Sequence, residues 1–189
     1  MLKRIFDFLA SLIGIILLSP IIIIVAIVIK LSSPGSILFS QRRIGKDNKE
    51  FKIYKFRTMR TDTPDVPTHL LEKPEQWITP IGKFLRKTSL DELPQLWNIL
   101  KGEMSIVGPR PALYNQDDLI ALRTEKEVHK LIPGLTGWAQ INGRDELPIQ
   151  RKVELDKEYL NRRSFLFDIK IIFMTAFKVV KSEGVKEGK

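Results

Sequence analysis

Asp91 and Glu92 stand side by side in the stretch Thr-Ser-Leu-Asp-Glu-Leu-Pro-Gln-Leu (88–96), with Arg86 and Lys87 just upstream and no cation four residues on to occupy either carboxylate. Paired carboxylates amid basic residues suit phosphate chemistry. One oxygen can take up a phosphoryl group covalently, and Mg2+ accepts one or two carboxylates together with substrate oxygens. Asp91 and Glu92 are therefore the candidate catalytic pair and the candidate metal ligands; an ordinary acidic helix cap is the plain alternative. Pro94 has no N–H and is tolerated in a helix's first turn. The spacing thus predicts a helix with Asp91 as N-cap, running through Trp97 to about Leu100, with Gly102 as its stop. At that end the helix dipole favours an ionised carboxylate and a nearby phosphate.

Three other segments could serve such a site. Lys55 and Arg57 alternate with apolar Tyr54, Phe56 and Met59, so the two cations project from one face of a strand. Arg110 lies between Pro109 and Pro111, which stiffen the backbone and hold a guanidinium ready for bidentate contact with phosphate or base; a rigid turn with an exposed arginine is the alternative. Residues 133–144 carry Gly134, Gly137 and Gly143, permitting tight turns and close backbone approach to a ligand. That segment is neither a Walker A loop nor a dinucleotide fingerprint.

The totals narrow the partners. A chain of 189 residues can build one domain with a core and an appendage. With no cysteine there is no disulfide, thiolate site or cysteine nucleophile, and His69 and His129 are too few for a histidine metal site. A net charge of +9 implies anionic partners: nucleic acid, lipid headgroups or phosphorylated small molecules.

The elements that must position these residues begin in a membrane segment. Residues 8–29 contain no charge, and as a helix they span about 33 Å, enough to cross a bilayer core. Two features favour a re-entrant hairpin: Ser19-Pro20 falls near the middle, and both flanks are basic, with Lys3 and Arg4 before and Lys30, Arg42, Arg43 and Lys46 after. A kinked spanning helix stays open, since proline is common in membrane helices. Beyond a turn at 33–36, residues 37–39 and 51–54 read as strands joined by a polar loop at 45–50. Residues 61–80 form a proline-rich surface loop, with a helical turn at 69–72 and His69 exposed; 81–86 form a short amphipathic helix. Helices follow at 115–131 and 150–162. Over 165–181 apolar Ile169, Ile172, Phe173, Ala176, Phe177 and Val180 share one helical face, packing on the core or lying in the membrane interface. The tail 182–189 is expected to be disordered. The fold class is α/β and mostly α: a re-entrant membrane helix over 1–32, then a single cytosolic catalytic domain over 33–189 with interfacial helices and a small β element.

Several of these segments, in this order, resemble the bacterial sugar transferase family, the small monotopic phosphoglycosyl transferases: Lys3-Arg4-Ile5-Phe6-Asp7, Ser19-Pro20, Lys55-Phe56-Arg57-Thr58-Met59, Asp91 to Leu96, Val107-Gly108-Pro109-Arg110-Pro111 and 133–144. The resemblance covers essentially the whole chain. It implies transfer of a sugar-1-phosphate from a UDP-sugar to undecaprenyl phosphate, with release of UMP, by a monotopic protein of the bacterial cytoplasmic membrane whose site faces the cytoplasm. It implies Asp91 as the covalent nucleophile and Glu92 in Mg2+ binding and acid–base balance. Lys55, Arg57, Arg86 and Arg110 become contacts to phosphate and uridine; Gln140, Arg144 and Asp156 join them as candidate substrate-binding residues. Thr58 stands where many members have serine. The short members suggest an N-acetylated amino or deoxyamino sugar, made for capsule, O-antigen or glycoprotein glycans. Phospholipid is then a partner and nucleic acid is not; pairing into a homodimer stays open. The rival from another class is a membrane-anchored basic module that binds anionic lipid without chemistry, for which carboxylates amid the cations are of no use. Direct in-line transfer without a covalent intermediate is the enzymatic rival.

Overall fold

A computed structural model describes residues 2–64, 73–143 and 147–180. Helix α1 (Leu2–Ser32) leads into strands β1 (Leu38–Ile44) and β2 (Glu50–Phe56), then helices α2 (Pro80–Thr88) and α3 (Gln95–Lys101). Short strands β3 (Ser105–Val107) and β4 (Ala112–Leu113) precede α4 (Asp117–Glu125), β5 (Gly134–Thr136), α5 (Trp138–Ile141), α6 (Ile149–Arg162) and α7 (Phe165–Val180). Strands β1 and β2 form an antiparallel hairpin in register Leu38 to Phe56, and β4 joins β1 on its other edge. The hairpin turn places Asp47 and Asn48 at φ of 54° and 58°, a left-handed geometry that these two residue types tolerate. A second sheet pairs β3 with β5 in parallel.

Helix α1 is long and apolar enough to cross a membrane, and one side of it packs on the rest of the chain at positions between Asp7 and Ile29. Asp7 is buried and accepts from Ser105 Oγ at 2.8 Å and Ile106 N at 3.1 Å. Ile15 and Leu18 pack on the cluster of Ile53, Leu96, Ile99 and Met104, while Val25 and Ile29 form another with Phe56 and Leu85. These contacts recur every three or four residues, so they lie along one stripe of the helix. The rest of the circumference leaves Leu9, Ile13, Ile16, Leu17, Ile24, Ile27 and Leu31 exposed.

Helix α1 runs without a break through Ser19 and Pro20. The reason is local. Pro20 deprives the Ile16 carbonyl of its donor, and Ser19 Oγ donates to that carbonyl instead, at 2.8 Å.

The third and largest core cluster joins Val107, Leu119, Val128, Val153, Tyr159, Phe167 and Ile171. Helix α7 reaches it with Phe167, Asp168 and Ile171, while Leu166, Phe173 and Phe177 are 80%, 72% and 60% exposed. Its apolar stripe turns Phe173 and Phe177 outward while Ile172 packs on the core, and Asp168 is docked: it accepts from Tyr159 Oη at 2.7 Å and Lys3 Nζ at 2.5 Å. The helix expected over 115–131 ends at Glu125, because Glu127 turns left-handed (φ 64°) and a 3-10 turn then buries Val128. The turn at 69–72 with His69, Arg144, and the tail 182–189 lie outside the described residues.

Candidate active site

Two helices and a strand end converge on Asp91 and Glu92. Helix α2 starts where expected: Thr79 accepts from Gly82 N at 3.0 Å as N-cap, with Pro80 in the first turn. Its last turn carries Arg86, whose Nε donates to Thr58 Oγ1 at 2.9 Å. Ser89 then turns left-handed (φ 58°, ψ 16°), and Leu90–Glu92 form a 3-10 turn ahead of α3. Asp91 is accordingly inside a 3-10 turn and not the N-cap of an α-helix. The physical reason is Pro94, which has no N–H to close an α-turn onto Leu90, so the ladder runs i to i+3 through Glu92 N to Ser89 O and Leu93 N to Leu90 O.

Helix α3 is clamped at both flanks. Asn98, fully buried, accepts from Tyr54 N at 3.1 Å and donates to Lys52 O at 2.7 Å, filling the unpaired edge of β2. At the C-terminal end Arg4 donates to the Ile99 and Leu100 carbonyls at 2.5 and 2.7 Å, a cation at the negative end of the helix. Leu90 and Leu93, on either side of the carboxylate pair, pack against Val25, Ile29, Phe56 and Leu85. The flanks of the pair thereby share one apolar cluster with α1, β2 and α2. Asn98 and Arg4 were not singled out by chemistry in the sequence; an asparagine among the apolar residues of a short helix was the available signal.

The electrostatics separate the two carboxylates. Glu92 Oε1 accepts from Lys55 Nζ at 2.7 Å and from Arg110 at 3.4 Å. Asp91 is only 8% exposed and makes no hydrogen bond through its carboxylate to another described residue. Burial pushes its pKa up to about 6, with the Glu92 charge adding to the rise while Lys55, Arg86 and Arg110 oppose it. Desolvation thus outweighs the surrounding cations and raises the pKa where a helix dipole would lower it, while at about 6 the carboxyl stays mostly ionised at neutral pH. Arg86 is held below its ordinary pKa by the same burial, with Asp91 opposing.

Of the expected site residues, Asp91, Glu92, Lys55, Arg86 and Arg110 form one cluster. Arg57 is drawn elsewhere, donating to Pro34 O, Ser33 O and Ser33 Oγ at 2.5–2.9 Å, where it ties down the chain leaving α1. Gln140 donates to Leu135 O at 3.0 Å within its own loop. Asp156 is buried against Arg123, which meets one carboxylate oxygen at 2.6 and 3.0 Å. Burial raises its pKa and Arg123 opposes that rise. Gly134 and Gly137 serve close backbone approach, but to the chain itself: a Cβ on either would meet Gly108 backbone atoms at 2.1 Å.

Among the described residues no group of three or more His, Asp or Glu side chains could hold a metal by itself. Two adjacent carboxylates without a cage fit Mg2+, which retains waters and takes oxygens from a bound phosphate. Chemically the cluster offers a carboxylate able to attack phosphorus, with cations to neutralise the charge of a pyrophosphate.

Comparison with known proteins agrees with this chemistry. The chain is 45% identical over 188 residues to the uncharacterized sugar transferase EpsL of Bacillus subtilis (strain 168), covering 98% of this chain and 91% of that protein. It is 43% identical over 185 residues to the UDP-glucose:undecaprenyl-phosphate glucose-1-phosphate transferase of Escherichia coli (strain K12), covering 94% of this chain but 40% of that one. A UDP-N-acetylgalactosamine-undecaprenyl-phosphate N-acetylgalactosaminephosphotransferase of Aeromonas hydrophila is 36% identical over 194 residues, 98% of this chain and 45% of its own. The chain thus spans less than half the length of the latter two. A family model described as bacterial sugar transferase matches residues 1–182, and this enzyme belongs to that family.

Proposed function

We propose that the protein transfers a sugar-1-phosphate from a UDP-sugar to undecaprenyl phosphate and releases UMP. The observation that carries this reading is the buried Asp91 carboxylate, free of hydrogen bonds to described residues, beside a Glu92 already tied to Lys55 and Arg110. In the first step an Asp91 oxygen attacks the sugar-bearing phosphorus. The bond from that phosphorus to the bridging oxygen breaks, and UMP leaves with the electron pair. In the second step a phosphate oxygen of the lipid attacks the same phosphorus and expels the Asp91 carboxylate. Lys55, Arg86 and Arg110 neutralise the pyrophosphate and the departing UMP. Asp91 and Glu92 would hold Mg2+, which when bound supplies further neutralisation of phosphate charge. Relatives named for glucose-1-phosphate and for N-acetylgalactosamine phosphate transfer put both sugar classes in the test panel, and the expected donor carries an N-acetylated amino or deoxyamino sugar.

The acceptor is a lipid, and Leu90 and Leu93 beside the carboxylate pair share one apolar cluster with Val25 and Ile29 of α1. Both ends of α1 contact the same domain, through Asp7 and through Val25 and Ile29, which supports a monotopic helix lying in one leaflet with its bare apolar side in lipid. The exposed Phe173 and Phe177 of α7 would enter the same interface. Basic flanks support a cytoplasmic position for both ends. A cysteine placed beside Lys3 should resist an impermeant thiol reagent added to intact cells; ready labelling there means a spanning helix.

The decisive assay incubates purified protein with Mg2+, undecaprenyl phosphate and a panel of UDP-sugars and measures UMP. Without acceptor, intact-mass spectrometry should find a sugar-phosphate adduct on wild type and none on Asp91→Asn. An adduct on Glu92 reverses the roles. No adduct, with kinetics requiring both substrates bound together, replaces the covalent route by in-line transfer.

A further inference from the structure

Arg123 has no part in the steps above, yet among the described residues it is a buried cation whose hydrogen bonds run towards the site. Its Nη1 donates to the Arg110 carbonyl at 2.8 Å, while Nε and Nη2 donate to Asp156 at 3.0 and 2.6 Å. The segment it touches is peculiar in having proline on both sides of Arg110. Neither Pro109 nor Pro111 has an N–H, so this loop is anchored chiefly through its carbonyls. All three are taken: Pro109 O by Gly134 N at 2.9 Å, Arg110 O by Arg123, and Pro111 O by Arg43 at 3.2 Å. Pro109 and Pro111 are buried, and a cavity of about 30 Å³ lined by Pro109, Pro111, Ile44, Arg123 and His129 lies beside them, so the carbonyl bonds supplement the packing.

We propose that Arg123, oriented by Asp156, is a positioning residue that fixes the backbone of Arg110 and so aims its guanidinium at the donor's phosphates. Three features of the geometry carry this. Arg123 is 7% exposed and Asp156 1%, so neither touches a substrate in solvent. The guanidinium fork spans carboxylate and carbonyl at once, which a single ammonium does less well. The Arg110 side chain leaves that held backbone to meet Glu92, in the carboxylate pair itself. Asp156 thereby acquires a role in the reaction through Arg123 and without substrate contact. The inference rests on the proposed contact between Arg110 and the UDP-sugar.

The test is a double-mutant cycle on the full-length enzyme in detergent, with UDP-sugar turnover measured in single-turnover mode. Replacing the pair together (Arg123→Met with Asp156→Leu) removes both charges and leaves no unpaired buried ion. In the wild-type background kcat/KM should fall by about 100-fold, the scale of a misplaced contact group, with Tm little changed. In the Arg110→Ala background the same replacement should change kcat/KM by less than about twofold, because the group being aimed is gone. An equal loss in both backgrounds makes the pair merely structural and overturns the proposal while leaving Arg110 in the site. An Arg110→Ala enzyme as fast as wild type removes Arg110 from the reaction, and the positioning role with it. If the double replacement does not fold, Arg123→Lys carries the same cycle: it keeps a cation for Asp156 and should still lose activity only when Arg110 is present.

Discussion

Asp91→Asn should destroy activity and at the same time stabilise the metal-free protein. Burial raises the Asp91 pKa from 3.8 to about 6, so the folded chain binds a proton at this carboxyl more tightly than the unfolded chain does. The stability that goes with the protonated form is fully present below pH 3.8 and is lost as the pH climbs through about 6. Above that, wild type carries the full cost of an ionised buried carboxylate, about 3 kcal/mol at roughly 1.4 kcal/mol per pH unit. Asparagine is neutral throughout and nearly isosteric. The variant should therefore match wild type near pH 4 and exceed it near pH 8, by roughly 6–12 °C in Tm for a chain of this size. The assay is thermal unfolding of both proteins in detergent with EDTA across that range, because Mg2+ at the pair would favour the charged form. Equal Tm values near pH 8, or a more stable wild type, would refute the reasoning: Lys55, Arg86 and Arg110 would then outweigh desolvation.

Three further outcomes follow from single contacts. Arg110→Lys keeps the charge but loses the planar fork, so kcat/KM for the UDP-sugar should drop at least about 10-fold with Tm unchanged; unchanged kinetics would take Arg110 out of the site. Gly134→Ala places a Cβ 2.1 Å from Gly108 N, where backbone meets backbone, and should cost about 3 kcal/mol or more by denaturant titration. Asn98→Leu removes the partners of Tyr54 N and Lys52 O at the edge of β2, and should cost roughly 2–4 kcal/mol while also lowering turnover by loosening α3. A silent Asn98→Leu would mean that apolar packing alone sets α3 against β2.

What the sequence determined by itself is whatever depends on neighbours along the chain. Thr79-Pro80 starts α2, Gly102 at φ 89° stops α3, and Asp47-Asn48 turns the first hairpin, each because a residue type tolerates a backbone geometry others resist. The apolar run of α1 and the chemistry available to Asp91 and Glu92 are of the same kind. Even the continuity of α1 through Pro20 is local, since Ser19 restores the bond that proline removes. The tertiary structure alone decided which cations face the carboxylates. Lys55 and Arg57 occupy equivalent positions two residues apart, yet one meets Glu92 and the other holds Ser33 and Pro34. It also decided that α7 turns Phe173 and Phe177 outward, that Gly134 makes room for Gly108, and that Asp156 pairs with Arg123. The protonation of Asp91 belongs here too. Desolvation is set by what covers a group, and Asp91 is surrounded by residues from β2, α2 and the loop at Arg110, which no window along the chain brings together.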